Sequence, residues 1–187
     1  MGNLVLDMSM SLDGFIAGPD DGPDNGLGVD GHRLHAWLGD GTGDDPRSYR
    51  PVGPSGEVFD ELMATGAVLV GRRTFDIAQA KTAAGDRNVM LHGADTVQRC
   101  LQARVLDEME IHVVPVLLDQ GRRLFDHLRA DHIELELTRI VDAPGVTHLH
   151  YRIRYGRETR SSGASSPSVT TTHHSCYSRA VRRALLA

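Results

Sequence analysis

Between residues 66 and 104 the chain repeats one pattern twice, and this constrains the fold more than any other stretch. A short apolar run, Ala67 to Val70, breaks at Gly71 and leads into Arg72, Arg73 and Thr74. A second run, Asn88 to Leu91, ends in His92-Gly93 and leads into Ala94, Asp95, Thr96, Val97 and Gln98. Each reads as a buried strand, a glycine and a helix, with helices over 75–84 and from about Asp95 to Arg104. Residues 77–88 suffice for a crossover between parallel neighbours. Asp95 and Gln98 have capping-box spacing. The first joint combines bare backbone at Gly71, cations at Arg72 and Arg73, and a hydroxyl at Thr74. Those are parts that a phosphate group needs. Arg72 as a phosphate contact competes with Arg72 in a surface ion pair. Arg73 reads as solvated, and Thr74 as a cap, a ligand or both.

The flanking segments extend an α/β plan. Leu4, Leu6, Met8 and Met10 alternate with Val5, Asp7 and Ser9, which predicts a strand. Ser11-Leu12-Asp13-Gly14 turns, with Gly14 free to take a positive φ, and Phe15 to Ala17 resumes. Residues 18–56 hold ten of the twenty glycines, so they read as a long loop rather than sheet. Within it, His32 to Leu38 suggests a short helix, with Trp37 as a packing anchor. Residues 55–66 read as a helix with Ser55 as N-cap, Gly66 as stop, and Val58, Phe59, Leu62 and Met63 toward the core. Met109 to Leu118 reads as a strand buried on both faces, and Gly121 to Leu128 as a loop. Two alternating stretches around Ala143-Pro144-Gly145 predict an antiparallel pair that closes the sheet.

Length and charge narrow the function classes. At 187 residues one domain is expected, over 1–156, with 157–187 a disordered tail rich in Ser, Thr and Arg. That tail carries a local +4 of the formal −5, which leaves −9 for the body. An acidic body argues against nucleic acid as a partner. No apolar run approaches a membrane span, and no basic segment precedes the first strand, so a cytoplasmic protein is expected. Two cysteines, Cys100 and Cys176, imply no disulfide framework. His148 and His150 share a strand face but lack a metal-ligand spacing, so no metal site is expected. His92 reads as a backbone-bonded histidine, and Ser11 has no histidine partner that would suggest a hydrolase triad.

Four motifs, in this order, resemble a known group: Met8-Ser-Met-Ser-Leu-Asp-Gly-Phe-Ile-Ala-Gly-Pro-Asp20, Val70-Gly-Arg-Arg-Thr-Phe75, Val89-Met-Leu-His-Gly-Ala-Asp95 and Pro115-Val-Leu-Leu-Asp-Gln-Gly-Arg-Arg-Leu-Phe-Asp126. They are similar to dihydrofolate reductase-like proteins related to the C-terminal reductase domain of the bifunctional riboflavin-biosynthesis deaminase-reductase. The match spans about residues 3–155. The resemblance implies an α/β fold, a mixed and mostly parallel central sheet with flanking helices and antiparallel C-terminal strands. It implies NADPH as cofactor and hydride transfer to a small heterocyclic or sugar-derived substrate. Ser11 to Ala17 would border the nicotinamide. Gly71, Arg72 and Thr74 would lie at the nucleotide phosphates. Gly93 and Ala94, with Asp95 beside them, would meet the pyrophosphate. Asp13 is the candidate catalytic carboxylate, because reduction needs a proton as well as a hydride. Its alternative role is to shape the turn through backbone amides.

Two departures from the family's pattern accompany the match. One glycine, Gly93, stands where the family usually has two. A few tens of residues, bearing two outer strands, are missing after Asp76, which would leave 67–70 at a sheet edge. These departures motivate two alternatives: a catalytically impaired paralogue with weak or no dinucleotide binding, and a preference for NADH. Related reductase domains pair, so a homodimer is an expected assembly.

Overall fold

A computed structural model describes residues 2–39, 49–70, 77–126, 128 and 132–156. The 157–187 tail and the first joint, Gly71 to Asp76, lie outside the described residues. Strands are β1 (Leu4–Ser11), β2 (Phe15–Ala17), β3 (Ala67–Val70), β4 (Val89–His92), β5 (Glu108–Val114), β6 (Arg122–Arg123), β7 (Glu134–Ala143) and β8 (Val146–Arg154). Helices are α1 (Pro54–Met63), α2 (Ile77–Ala84) and α3 (Ala94–Gln102), with a 3-10 helix at Gly31–Leu38. Six strands form one sheet in the order β3-β4-β1-β5-β8-β7. The β3-β4, β4-β1 and β1-β5 pairs are parallel, and β5-β8 and β8-β7 are antiparallel. Sequence and structure agree on this mixed, mostly parallel plan, and among the described residues β3 and β7 are its edge strands.

Strand alternation divides the interior into two unlike layers. Leu4, Leu6 and Met8 of β1 and Met109 and Ile111 of β5 join Val97, Cys100 and Leu101 of α3 in the main apolar core. Ala80 and Ala84 bring α2 onto the same face. These small side chains let the helix lie close to the sheet, and Gly66 permits a still closer pass beside Ala84. The opposite strand positions are Asp7 and Ser9 of β1, His112 of β5 and His148 of β8. They are polar and also buried. They lie beneath α1 and the 3-10 helix, where Leu34, Leu38, Phe59 and Leu62 supply apolar cover. Polar residues at alternate strand positions usually face water. Here a second helical layer covers them.

Several local expectations need correction. The α1 N-cap is Gly53, with Pro54 at the first helical position, so Ser55 lies inside the helix. Proline suits that position, since its missing N–H would have no helical acceptor. Val58, Phe59 and Leu62 are buried as expected, whereas Met63 is 39% exposed. The α3 N-cap is Gly93, and no capping box forms. The Gln98 amide instead donates to Leu124 O at 2.9 Å. β5 stops at Val114, and Arg122–Arg123, read as loop, pair with β2. Trp37 packs as anticipated and also donates from Nε1 to Ser9 Oγ at 2.9 Å.

Candidate functional site

A cleft of about 310 Å³ opens beside the α3 N-terminus. Ala94, Asp95 and Gln98 line one wall. Gly121, Arg122 and Arg123 of the β6 segment line another, and Asp21 and Asp126 complete it. The location follows from topology. β4 ends at His92, Gly93 turns the chain, and α3 starts with Ala94, Asp95 and Gln98 against the cleft. The helix's first internal bond is Val97 N–H to Gly93 O, 3.1 Å. The amides ahead of Val97 therefore belong to the open first turn, where the positive end of the helix dipole favours anions. A Cβ at Gly93 would meet nothing within 4 Å, so the backbone there fronts open space.

The two arginines are held differently. Arg122 Nη2 lies 2.5 Å from Asp21 Oδ2, across the cleft wall. Arg123 stacks on Phe15, 4.3 Å from the ring centroid, and donates from Nη1 to Asp13 O at 2.9 Å. β6 reaches this position because Gly121 passes tightly over β2. A Cβ there would sit 2.1 Å from Ala17 O, and φ is +127°. The donor set of helix amides and two guanidiniums suits a diphosphate, whereas three carboxylates in the same walls oppose it. The arginines appear in the sequence as Gly-Arg-Arg, but only the β2-β6 pairing brings them to α3.

The Ser11–Ala17 turn forms the neighbouring rim. Ser11 is fully buried, donates from Oγ to Asp13 Oδ1 at 2.6 Å and accepts the Phe15 amide at 2.9 Å. Asp13 also accepts the Leu118 amide at 3.2 Å and the Asp119 amide at 2.8 Å. Partial desolvation works to raise the Asp13 pKa. The Ser11 hydroxyl and the two amides outweigh it, and the carboxyl sits below its usual 3.8. Asp13 is thus an ionised clamp between two loops. Ala17 is buried in β2 and lines the strand pair rather than the cleft. Ala94 and Asp95 line the cleft, and Gly93 precedes them as the α3 N-cap. Gly71, Arg72 and Thr74 lie outside the described residues.

A second constellation was not foreseen from the sequence. On the polar sheet face, His112 Nε2 lies 3.0 Å from Asp7 Oδ2. His112 Nδ1 lies 2.7 Å from His148 Nδ1, and His148 Nε2 lies 3.0 Å from Ser55 Oγ. Burial drives the His148 pKa down to about 4, with the His112 charge adding to the effect. Trp37 closes the group, with its ring centroid 4.6 Å from His112 and 5.0 Å from His148. His92 bonds to Asp7 O at 3.0 Å, as expected, and its pKa is lowered, mainly by burial. The available signal was Asp7 between Leu6 and Met8 in β1 and His112 between Ile111 and Val113 in β5. Among the described residues no group of three or more His, Cys, Asp or Glu could hold a metal ion.

No protein-family model matches the chain, and no curated protein does. Solved structures do. A protein of Shewanella sp. PV-4, described as a riboflavin biosynthesis protein, is 16% identical with a TM-score of 0.55, over 83% of this chain and 100% of that one. RibD of Acinetobacter baumannii is 15% identical with a TM-score of 0.49, over 83% of this chain and 59% of that one. Dihydrofolate reductase of Enterococcus faecalis, complexed with NADP(H), is 9% identical with a TM-score of 0.43, over 82% and 98%. At such identities the likeness is one of fold. The chain shares its fold with the Shewanella protein.

Proposed function

We propose that the protein is an NADPH-dependent reductase that transfers a hydride to a small heterocyclic or sugar-derived substrate. One observation carries this reading: the cleft joins the open N-terminus of α3 to Arg122 and Arg123 at the carboxyl ends of parallel strands. In open α/β sheets that is where nucleotides gather. The fold supports the reading too, and the Shewanella protein that shares it is described as serving riboflavin biosynthesis, which motivates the substrate class. NADPH would supply the hydride. Gly93, Ala94 and Asp95 would offer main-chain donors to its diphosphate, and Arg122 and Arg123 would balance its charge. Ser11 to Ala17 would flank the nicotinamide, with Gly71, Arg72 and Thr74 at the remaining phosphates. Of the two roles open to Asp13, its bonds support holding the turn.

A catalytically impaired paralogue is the second reading. It is favoured by Asp21, Asp95 and Asp126 in the cleft walls and by the Arg122–Asp21 ion pair that an incoming phosphate would have to compete with. Fluorescence titration separates the two. Quenching or energy transfer on adding NADPH supports the reductase, and no signal at millimolar NADPH refutes it. A parallel NADH titration tests cofactor preference.

A further inference from the structure

On one side the sheet ends at β7, a strand of 10 residues with no strand beyond it among the described residues. Exposed edges are usually short, or carry lysine or proline. β7 has neither residue between Glu134 and Ala143. It exposes three large apolar side chains instead: Leu135, Leu137 and Ile140 are 43%, 46% and 58% exposed. They stand opposite Ile153, Tyr151 and Leu149 of β8. Tyr151 and Leu149 stand in turn opposite Met109 and Ile111 of β5, which belong to the main core. The strip is therefore the outer margin of the main core face, left open. α1 meets β7 from the other face, through Glu61 and Arg139.

A bulge keeps this strip intact. The register of β7 against β8 shifts between Leu137 and Arg139. With strict alternation Arg139 would share the face of Leu135 and Leu137, and Ile140 would point the other way. The extra residue, Thr138, reverses the phase. Arg139 then stands opposite His150, in the row of Glu134 and Glu136, and Ile140 stands opposite Leu149 in the apolar row. Holding Ile140 in phase gains nothing if the strip faces only water.

The phase change also decides what fits the outer edge. Directly opposed residues of an antiparallel pair point to the same face. A second β7 meets that condition along the whole strand in one register alone, with bulge against bulge about a two-fold axis between Leu137 and Thr138. Leu135 then faces Ile140 of the second copy, and Glu136 faces its Arg139. Any other register over the whole strand sets apolar residues against the charged row. Opposite charges meet in the favoured register as well. Arg139 bonds Glu61 at 2.8 Å, and Glu136 accepts from Arg154 Nε at 2.8 Å. Across the axis these become an alternating row of Glu61, Arg139, Glu136 and Arg154. A pattern that reads the same from both ends is what an isologous contact requires, and a foreign strand requires no such symmetry.

We propose that β7 is the contact surface for a second copy of this chain, pairing antiparallel with its own counterpart so that two six-stranded sheets become one. The contact is independent of the cofactor and holds whether or not the protein is a reductase.

Light scattering after size exclusion of the full chain is the first measurement. A mass near twice the 20.4 kDa of one chain is expected. The mass of one chain at every concentration overturns the proposal, and leaves residues 157–187 or a foreign protein to cover the strand. Leu137→Lys places a charge in the apolar row at the axis. It should weaken dimerisation about tenfold or more, with circular dichroism unchanged. Wild-type dimerisation by the folded variant overturns the surface. A cross-link tests the register. Opposed Cα atoms lie about 4.5–5.5 Å apart, within disulfide reach, whereas positions 135 and 140 of one strand are roughly 15 Å apart. Cys100 is buried, so Cys176→Ser supplies a clean background. In it, Leu135→Cys with Ile140→Cys should give a covalent dimer on mild oxidation, and Leu135→Cys alone should not. No covalent dimer from the double variant, or equal linking by the single one, overturns this pairing.

Discussion

Acid should unfold this protein through its histidines before its carboxylates matter. His35 and His148 both have pKa values lowered from 6.5 to about 4, burial being the main cause in each. His35 also carries a buried Nδ1 with no hydrogen-bond partner among the described residues. In the unfolded chain both rings take up a proton as pH falls through about 6.5, while in the folded chain they resist until about 4. The contribution of these two rings is therefore complete above about 6.5 and is lost between about 6.5 and about 4. A change of that size corresponds to roughly 3 kcal/mol per ring, which together rivals the ~5–15 kcal/mol that holds a typical domain. His150 has the opposite sign. Its pKa is raised, first by its bond to Glu110, so its contribution is intact below 6.5 and fades only at higher pH. It does not offset the loss in the acid window. The Asp13 contribution disappears only below 3.8. The assay is urea unfolding followed by circular dichroism at several pH values from about 7 to about 4. His35→Leu removes one titrating ring and its unpaired atom, so it should raise the midpoint near pH 5 and remove about half of the pH dependence. A stability flat over this range, or a His35→Leu slope equal to wild type, would refute the reasoning.

Other perturbations have equally definite outcomes. Gly121→Ala must relieve a 2.1 Å approach to Ala17 O at a φ of +127°, so a loss of about 2 kcal/mol or more in urea unfolding is expected, and a neutral result would mean that β6 does not pass over β2 as described. Asp13→Ala breaks the clamp on Leu118 and Asp119, which should cost about 1 kcal/mol and speed amide exchange in 117–119; unaltered exchange there would contradict the clamp. Arg123→Ala should weaken NADPH binding about tenfold or more and reduce its salt dependence, whereas unchanged affinity would place the dinucleotide elsewhere. Asp21→Asn frees Arg122 and should tighten NADPH, and weaker binding would argue that the ion pair builds the site.

What could be read from the sequence depended on whether the signal was local. Strand periods in Leu4 to Met10 and Val146 to Tyr155, and the glycine after β4, report local backbone requirements, and the sheet obeys them. The joint at Gly93, Ala94 and Asp95 was legible for the same reason, since strand, turn and helix start are adjacent in the chain. Arg122 and Arg123 were visible but not placed, because their strand is two residues long and exists only through β2. The Asp7-His112-His148-Ser55 line joins four distant segments. No spacing rule connects them, and alternation alone labels three of them as solvent-facing. Ser55 misled most directly: serine before an apolar helical run is a good cap, but Pro54 starts the helix one residue earlier and turns Ser55 inward.

Arg123 serves two neighbours through one guanidinium. Its guanidinium spans the Phe15 face, the carbonyl of Asp13 and the cleft wall. Its N–H groups are finite and rigidly set in one plane. The guanidinium carries five N–H groups and gives one to Asp13 O, so an anion in the cleft would bond the others, and each contact orders the fork for the other. The two are reciprocal by thermodynamic necessity, whichever ligand comes first. The rim loop and the cleft wall are thus joined through one rigid plane of N–H groups.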